Sequence, residues 1–291
     1  MERRFDTISF LSDFGTADEF VGVVKAVVRD LAPHVTIVDL THEIPPFDIR
    51  AGALALARCI AYVPAGIVLA VVDPGVGTDR RAVAVEVAGG AGIVLGPDNG
   101  LLGPAVALTG GAERAVVLTN DEYHLASPGA TFAGRDVFAP VAAHLCNGVD
   151  LADLGDEIDP AVLLPSVIPL PRVEGSTLVA EAVWIDRFGN VQLNVGPDDL
   201  SAAWGPDWGD RVRVRFGEHV RSMVVVPSFA AIPPGAPGLV VDSYGMLALA
   251  LDQFSAAAEL GLGPTDPVVL EPAPDEGGVT SPVTLRTGRI G

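Results

Sequence analysis

Residues 7–75 read TISFLSDFGTADEFVGVVKAVVRDLAPHVTIVDLTHEIPPFDIRAGALALARCIAYVPAGIVLAVVDPG. Short β-rich runs alternate here with amphipathic stretches. Thr7–Leu11, Thr36–Asp39 and Ile67–Val72 predict strands, and Glu19–Leu31 and Ile49–Ala61 predict helices between them. That alternation is the signature of a largely parallel sheet with helices on its faces. Polar residues follow each strand: Ser12-Asp13, then Asp39 through His42, then Asp73-Pro74-Gly75. In open α/β sheets ligands bind at the carboxyl ends of strands, so these acids are expected to converge on one crevice.

Outward from this stretch, strands are expected at Arg81–Val87, Gly92–Leu95 and Glu113–Leu118, and a helix at Gly134–Asn147. Leu164–Pro171 holds three prolines in eight residues and reads as a boundary. Beyond it Leu178–Ile185, Arg211–Phe216, Ser222–Val226, Gly238–Asp242 and Pro267–Glu271 read as strands, with a helical turn near Asp198–Trp204. The expected organisation is an N-terminal α/β domain over residues 1–164, a linker over 165–172, a smaller β-barrel-like domain over 173–272 and a loose tail over 273–291.

The composition narrows the function. The chain of 291 residues has 37 acids against 18 bases and a net charge of −19, a field that repels nucleic acid and anionic membrane. Nearly half the residues are hydrophobic, yet no run reaches the length of a bilayer span. The N-terminus lacks the apolar core of a signal peptide, so a cytoplasmic location is expected. Cys59 and Cys146 sit in apolar helical patterns and read as small buried hydrophobes, not as a disulfide or zinc framework.

Each candidate motif has a bland alternative. Asp13 in LSDFG either caps the following helix or offers two acceptor oxygens to the vicinal hydroxyls of a ribose. In VVDPGVGTDRR, Asp73 opens a turn, and Arg80, seven residues on, could pair with it and orient water. GPDNGLL reads as a tight turn. IDRFGNVQLN is either a hairpin turned at Gly189 or an adenine pocket, with Phe188 stacking on the base and Asn190 reading its edge.

The ordered succession FLSDFG, VDPGVGTDRR, GPDNGLL, TFAGRDVFAP, IDRFGNVQLN and DSYGMLALA resembles the S-adenosyl-L-methionine hydroxide adenosyltransferase family, relatives of fluorinase and chlorinase, over roughly Ser9 to Pro272. The resemblance implies a homotrimer with sites at subunit interfaces and a small-molecule substrate; the sulfonium leaving group of such a substrate is already activated, so no cofactor or metal is expected. It also implies roles. Asp13 would hold the ribose hydroxyls; Phe188 and Phe229 would flank adenine; Asn190 and backbone near Leu251 and Gln253 would read the base edge; Asp186 and Ser243 would hold the methionine amino group. Tyr244 stands where the fluorinase pattern has an arginine facing the carboxylate. Hydrolytic members handle the attacking water with an Asp, Arg and His set. Asp73 and Arg80 match the first two, and Ala133 stands at the histidine position.

The expected activity is therefore hydrolysis of S-adenosyl-L-methionine to adenosine and L-methionine by water attacking the 5′ carbon, impaired to the extent that Ala133 lacks an imidazole. Asp73 beside the site favours water over halide, because a carboxylate repels an anion. The alternatives are a non-catalytic binder of the same ligand, a halide-dependent adenosyltransferase, and a metal-dependent hydrolase built on Asp13, Asp18, His42, Asp48 and Asp73. His42 and His124 are the imidazoles available to replace the missing one.

Overall fold

A computed structural model describes residues 3–166 and 168–273. The expectation of a loose tail falls on residues of which all but Ala273 lie outside them. The chain separates into two compact units, Met1–Ile168 and Pro169–Gly291.

The first unit is a seven-stranded sheet with helices. Its strands are β1 (Thr7–Ser12), β2 (Thr36–Thr41), β3 (Gly66–Val71), β4 (Ala82–Val87), β5 (Gly92–Pro97), β6 (Arg114–Val117) and β7 (Asp156–Ile158), in the spatial order β2-β1-β3-β5-β4-β6-β7. The four strands β2, β1, β3 and β5 run parallel. The rest is an antiparallel extension, because β4 turns directly into β5 as a hairpin and β6 and β7 pair on from β4. Between the parallel strands lie α1 (Phe20–Leu31) and α2 (Ile49–Ile60). α1 buries Val21, Val24 and Val28, spaced three and four apart along one helical face.

The order of these strands places the site. From β1 the chain crosses through α1 to β2 on one side, then returns through α2 to β3 on the other. Right-handed crossovers taken in opposite directions put α1 and α2 on opposite faces, and they leave a crevice where the direction reverses, beyond the carboxyl ends of β1 and β3. Asp13 directly follows β1 and Asp73 follows β3 one residue later, and the Asp13 amide donates to Val71 O at 3.3 Å.

Two departures from the sequence reading have clear causes. The expected helix over Gly134–Asn147 opens with a wide π turn, Gly134–Phe138, before α4 (Ala139–Cys146); the short α3 (Gly103–Leu108) precedes it in the chain. Pro140 has no amide proton to give the carbonyl four residues back, and Asp136 O instead accepts from Leu125 N at 2.8 Å. The helix absorbs the missing bond by widening, with Ala139 N donating to Gly134 O. The sequence reading also passed over α3 and β7, which are too short to show a period.

The second unit is a barrel. Its strands are β8 (Arg172–Glu174), β9 (Thr177–Ile185), β10 (Val191–Leu193), β11 (Arg211–Phe216), β12 (His219–Val226), β13 (Gly238–Val241), β14 (Leu247–Ala250) and β15 (Pro267–Pro272). Seven of them close a ring, β10-β14-β13-β12-β11-β15-β9 and back to β10, and β8 pairs on β9 outside it. Alternate residues of β11 point inward, with Val212, Val214 and Phe216 buried and the three arginines between them exposed. The barrel core is filled by residues such as Leu193, Met223, Leu249 and Leu270. Two helices, α5 (Pro197–Trp204) and α6 (Ala256–Leu260), lie in its connections.

Candidate active site

In the first unit the acids after β1 and β3 line one cavity of about 250 Å³ together with Phe14, Phe47, Phe132 and Ala133. Asp13 does not cap a helix. Glu19 precedes α1 without a side-chain cap bond, and Asp13 Oδ2 instead accepts from the Phe47 amide at 2.9 Å. The loop carrying Phe47 is tied to β1 and to the loop after it by two more bonds: Ser12 Oγ lies 2.8 Å from His42 Nδ1, and the Gly15 amide donates to His42 O at 2.7 Å.

Asp73 and Arg80 form the pair that the spacing predicted. Pro74 and Gly75 begin a tight loop in which Thr78 N donates to Gly75 O at 3.2 Å, and the chain comes back on itself. Arg80 Nε donates to Asp73 Oδ1 at 2.9 Å and Nη2 donates to Oδ2, a two-pronged contact. The Arg80 guanidinium also lies 5.7 Å from the centre of the Phe138 ring. With its side chain 6% exposed, Asp73 has its carboxyl raised above the ordinary aspartate value, because burial outweighs the pull of Arg80 and nearby Asp13 adds to the rise.

Ala133 faces the same cavity and contributes a methyl group. Neither available imidazole lines that cavity. His42 is buried between Ser12 and Asp39, 3.0 Å from Asp39 Oδ1, and His124 lies 3.3 Å from Asp121. Asp48 caps α2 by accepting from Ala51 N at 2.8 Å. Among the described residues no three His, Cys, Asp or Glu side chains are grouped to hold a metal ion. Cys146 is buried and its thiol is pushed up to about 12, so it is no nucleophile.

The sequence reading passed over the aromatic wall. Phe14, Phe20 and Phe132 pack edge to face, with ring centres 5.6 Å apart for Phe14–Phe132 and 5.2 Å for Phe20–Phe132. Gly134 makes room for them, since a Cβ there would stand 2.9 Å from Phe14 Cζ. Two of these rings sit inside quoted motifs, but nothing marked their side chains as lining. Phe47 had one signal, the Pro45-Pro46 pair just before the Asp48 cap.

A second cavity, of about 350 Å³, lies in the same unit against α3, β4 and the segment around Leu164. Its one carboxylate, Asp98, is consumed by Arg81 and by the Leu164 amide, which donates at 2.8 Å. GPDNGLL is thus the turn it was read as: Asn99 accepts from Leu101 N at 3.1 Å and donates to Val72 O at 2.9 Å.

In the barrel, Asp186 and Asn190 close the β9–β10 hairpin. Asp186 Oδ1 accepts from the amides of Phe188 and Asn190, both at 2.9 Å, and Oδ2 accepts from the Asn190 side chain at 2.8 Å. This leaves the Phe188 ring 77% exposed. The start of α6, which follows β14, packs against this hairpin: Ala257 N donates to Gly189 O at 2.9 Å, and Leu251 and Gln253 lie in the turn between β14 and α6. Gln253 has a φ of 60, a left-handed backbone uncommon outside glycine. Ser243 and Tyr244 lie in the other turn of β14, the one before it, where Asp242 accepts from Tyr244 N at 2.8 Å and from the Gln192 side chain. Phe229 opens the short turn Phe229–Ala231 and is half-exposed. The barrel thus brings Asp186, Phe188, Asn190, Leu251 and Gln253 to adjoining turns and holds Ser243 and Tyr244 on a separate one.

Residues 8–155 match the N-terminal domain of the SAM (S-adenosyl-L-methionine) hydroxide adenosyltransferases, and residues 180–269 match their C-terminal domain. The chain is 44% identical over 259 residues to an (R)-S-adenosyl-L-methionine hydrolase of Salinispora tropica, covering 89% of this chain and 95% of that protein. A protein of the same name from Thermus thermophilus is 42% identical over 275 residues, covering 90% and 98%. The crystal structure of an uncharacterized conserved protein from Thermotoga maritima superposes with a TM-score of 0.82 at 33% identity, covering 90% of this chain and 99% of that one.

Proposed function

The chain belongs to the SAM hydroxide adenosyltransferase family, and on that premise we propose that it hydrolyses S-adenosyl-L-methionine to adenosine and L-methionine. The carrying observation is the part-buried Asp73–Arg80 pair, whose carboxylate lines the same cavity as Asp13. In this reading Asp13 holds the ribose hydroxyls and so fixes the 5′ carbon. Water held by Asp73 and Arg80 attacks that carbon in line with the bond to sulfur. A C–O bond forms, the C–S bond breaks, and its electron pair neutralises the sulfonium to the thioether of methionine. One water proton stays on the new 5′ hydroxyl and the other leaves to solvent.

The leaving group carries its activating charge already, so catalysis rests on placement. Ala133 supplies no acid or base, which makes the water less readily deprotonated than an imidazole neighbour would. In the barrel, the exposed Phe188 ring stacks on adenine with Phe229 on its flank, Asn190 with backbone near Leu251 and Gln253 reads the base edge, and Asp186 and Ser243 take the methionine end. A homotrimer with sites at subunit interfaces, no cofactor and a cytoplasmic location complete the proposal. Among the described residues no helix is long and apolar enough to cross a membrane.

Incubation with S-adenosyl-L-methionine in ¹⁸O-labelled water tests the reading. Equimolar methionine and adenosine are expected, with one label on the 5′ oxygen and a rate indifferent to chelator and to chloride. Tight binding without products would instead support a sequestering protein, and a 5′-halogenated nucleoside in chloride would support halide transfer.

A further inference from the structure

Phe47 is an outlier in its own backbone. Its φ is 69, the left-handed region that a bulky L-residue enters at a steric cost, and no glycine relieves it. The ring does not account for the conformation by burial, since it is 72% exposed. What the conformation delivers is the amide proton, which Asp13 Oδ2 accepts at 2.9 Å. Among the described residues the Asp13 side chain makes no other hydrogen bond.

The loop over-determines this arrangement. Pro45 and Pro46 fix two successive φ angles ahead of Phe47. Asp48 N donates to Pro45 O at 3.0 Å and Ile49 N to Phe47 O at 3.1 Å, and the Asp48 side chain starts α2. Upstream, His42 is buried and bound to Ser12, one residue before Asp13. Strain held in place by its surroundings at a ligand-facing cavity points to a function for the strained residue.

We propose that Phe47 is a positioning residue: its left-handed backbone holds out one N–H that fixes the rotamer of Asp13, so that the carboxylate meets both ribose hydroxyls at once. The inference rests on the reading of Asp13 as the ribose ligand. A carboxylate free to turn about its side-chain bonds would have to be ordered by each incoming nucleoside, and the amide bond removes that cost beforehand.

The test compares binding of adenosine and 2′,3′-dideoxyadenosine by calorimetry in the full-length parent and in Phe47→Gly, Phe47→Asn, Phe47→Pro and Phe47→Ile. Glycine and asparagine accept the left-handed backbone and keep the N–H, so the preference for adenosine is expected to persist. Proline removes the donor and isoleucine resists the conformation, so the preference is expected to shrink by roughly tenfold, the worth of one hydrogen bond to a charged group. Isoleucine carries the test if the proline variant does not fold. A general loosening of the loop would weaken both ligands alike and leave the ratio untouched.

An unchanged ratio in folded Phe47→Ile or Phe47→Pro overturns the inference. So does an equal loss in all four variants, which would assign the effect to the ring. If the parent binds both nucleosides equally, the ribose role of Asp13 falls first and the positioning role with it.

Discussion

At the scale of single residues, the proposed chemistry turns on Asp73 and on what Ala133 omits. Burial raises Asp73 above its ordinary value, and in the proposed mechanism its ionised form is the stronger acceptor for the attacking water. The rate should therefore fall as pH drops through that raised value, giving an acid limb above the 3.8 of an unperturbed aspartate. The linkage has the opposite sign. A carboxyl whose folded value exceeds its unfolded one stabilises the fold fully below 3.8 and loses that contribution as pH rises through the folded value. Asp73→Asn should thus abolish the acid limb of single-turnover adenosine formation and slow it by roughly a hundredfold or more, without lowering neutral-pH stability through loss of that charge. A limb that survives the substitution would belong to another group. Ala133 lies at the start of the π turn, facing the cavity. A histidine there would sit at a helix N-terminus, whose dipole disfavours the imidazolium and keeps the ring neutral as a base. Ala133→His should raise the single-turnover rate by about a hundred- to ten-thousand-fold while leaving adenosine affinity unchanged. If the chemical step is no faster in a folded, ligand-binding variant, the missing imidazole is not what limits the protein.

At the scale of elements, the π turn and the β9–β10 hairpin are held by close approach. A Cβ on Gly134 would stand 2.9 Å from Phe14 Cζ and 3.2 Å from Phe132 Cε2, in an aromatic cluster that has to shift to admit it. Overpacking of this kind typically costs about 1–3 kcal/mol. Gly134→Ala should therefore lower the midpoint of thermal unfolding by roughly 2–4 °C for each kcal/mol and disturb the wall of the cavity. A variant that melts with the parent would show the cluster to be looser than its ring spacings indicate. Gly189 is more constrained still, with a φ of 83 and Ser255 Oγ only 2.1 Å from where a Cβ would lie. It lets the turn after β14 lie directly against the hairpin, which is how Phe188 and Gln253 come to share one end of the barrel.

At the scale of the whole molecule, light scattering on the purified chain should give the mass of a trimer or a multiple of it, and a monomer that binds adenosine with full affinity would remove the proposed assembly. The alternation over residues 7–75 was sufficient to set the α/β class, because crossover handedness leaves few ways to arrange such strands. Ser12-Asp13 and Asp73 were legible as site candidates for the same reason, since strand ends collect at one edge of a parallel sheet. The Asp73–Arg80 pair was legible because a short loop returns the chain within a side chain's reach. The barrel-like character of the second domain was legible from its succession of strands and turns, but two strands that close the ring were not: β10 spans only Val191–Leu193 and β14 only Leu247–Ala250, and segments this short carry no readable period until their neighbours supply hydrogen bonds. The bond from Phe47 to Asp13 was likewise decided by tertiary structure, since it joins residues 34 apart in sequence through a backbone angle that no side-chain pattern encodes. Local periodicity and loop length are written in the chain, whereas contacts between distant loops exist only once the sheet has brought their ends together.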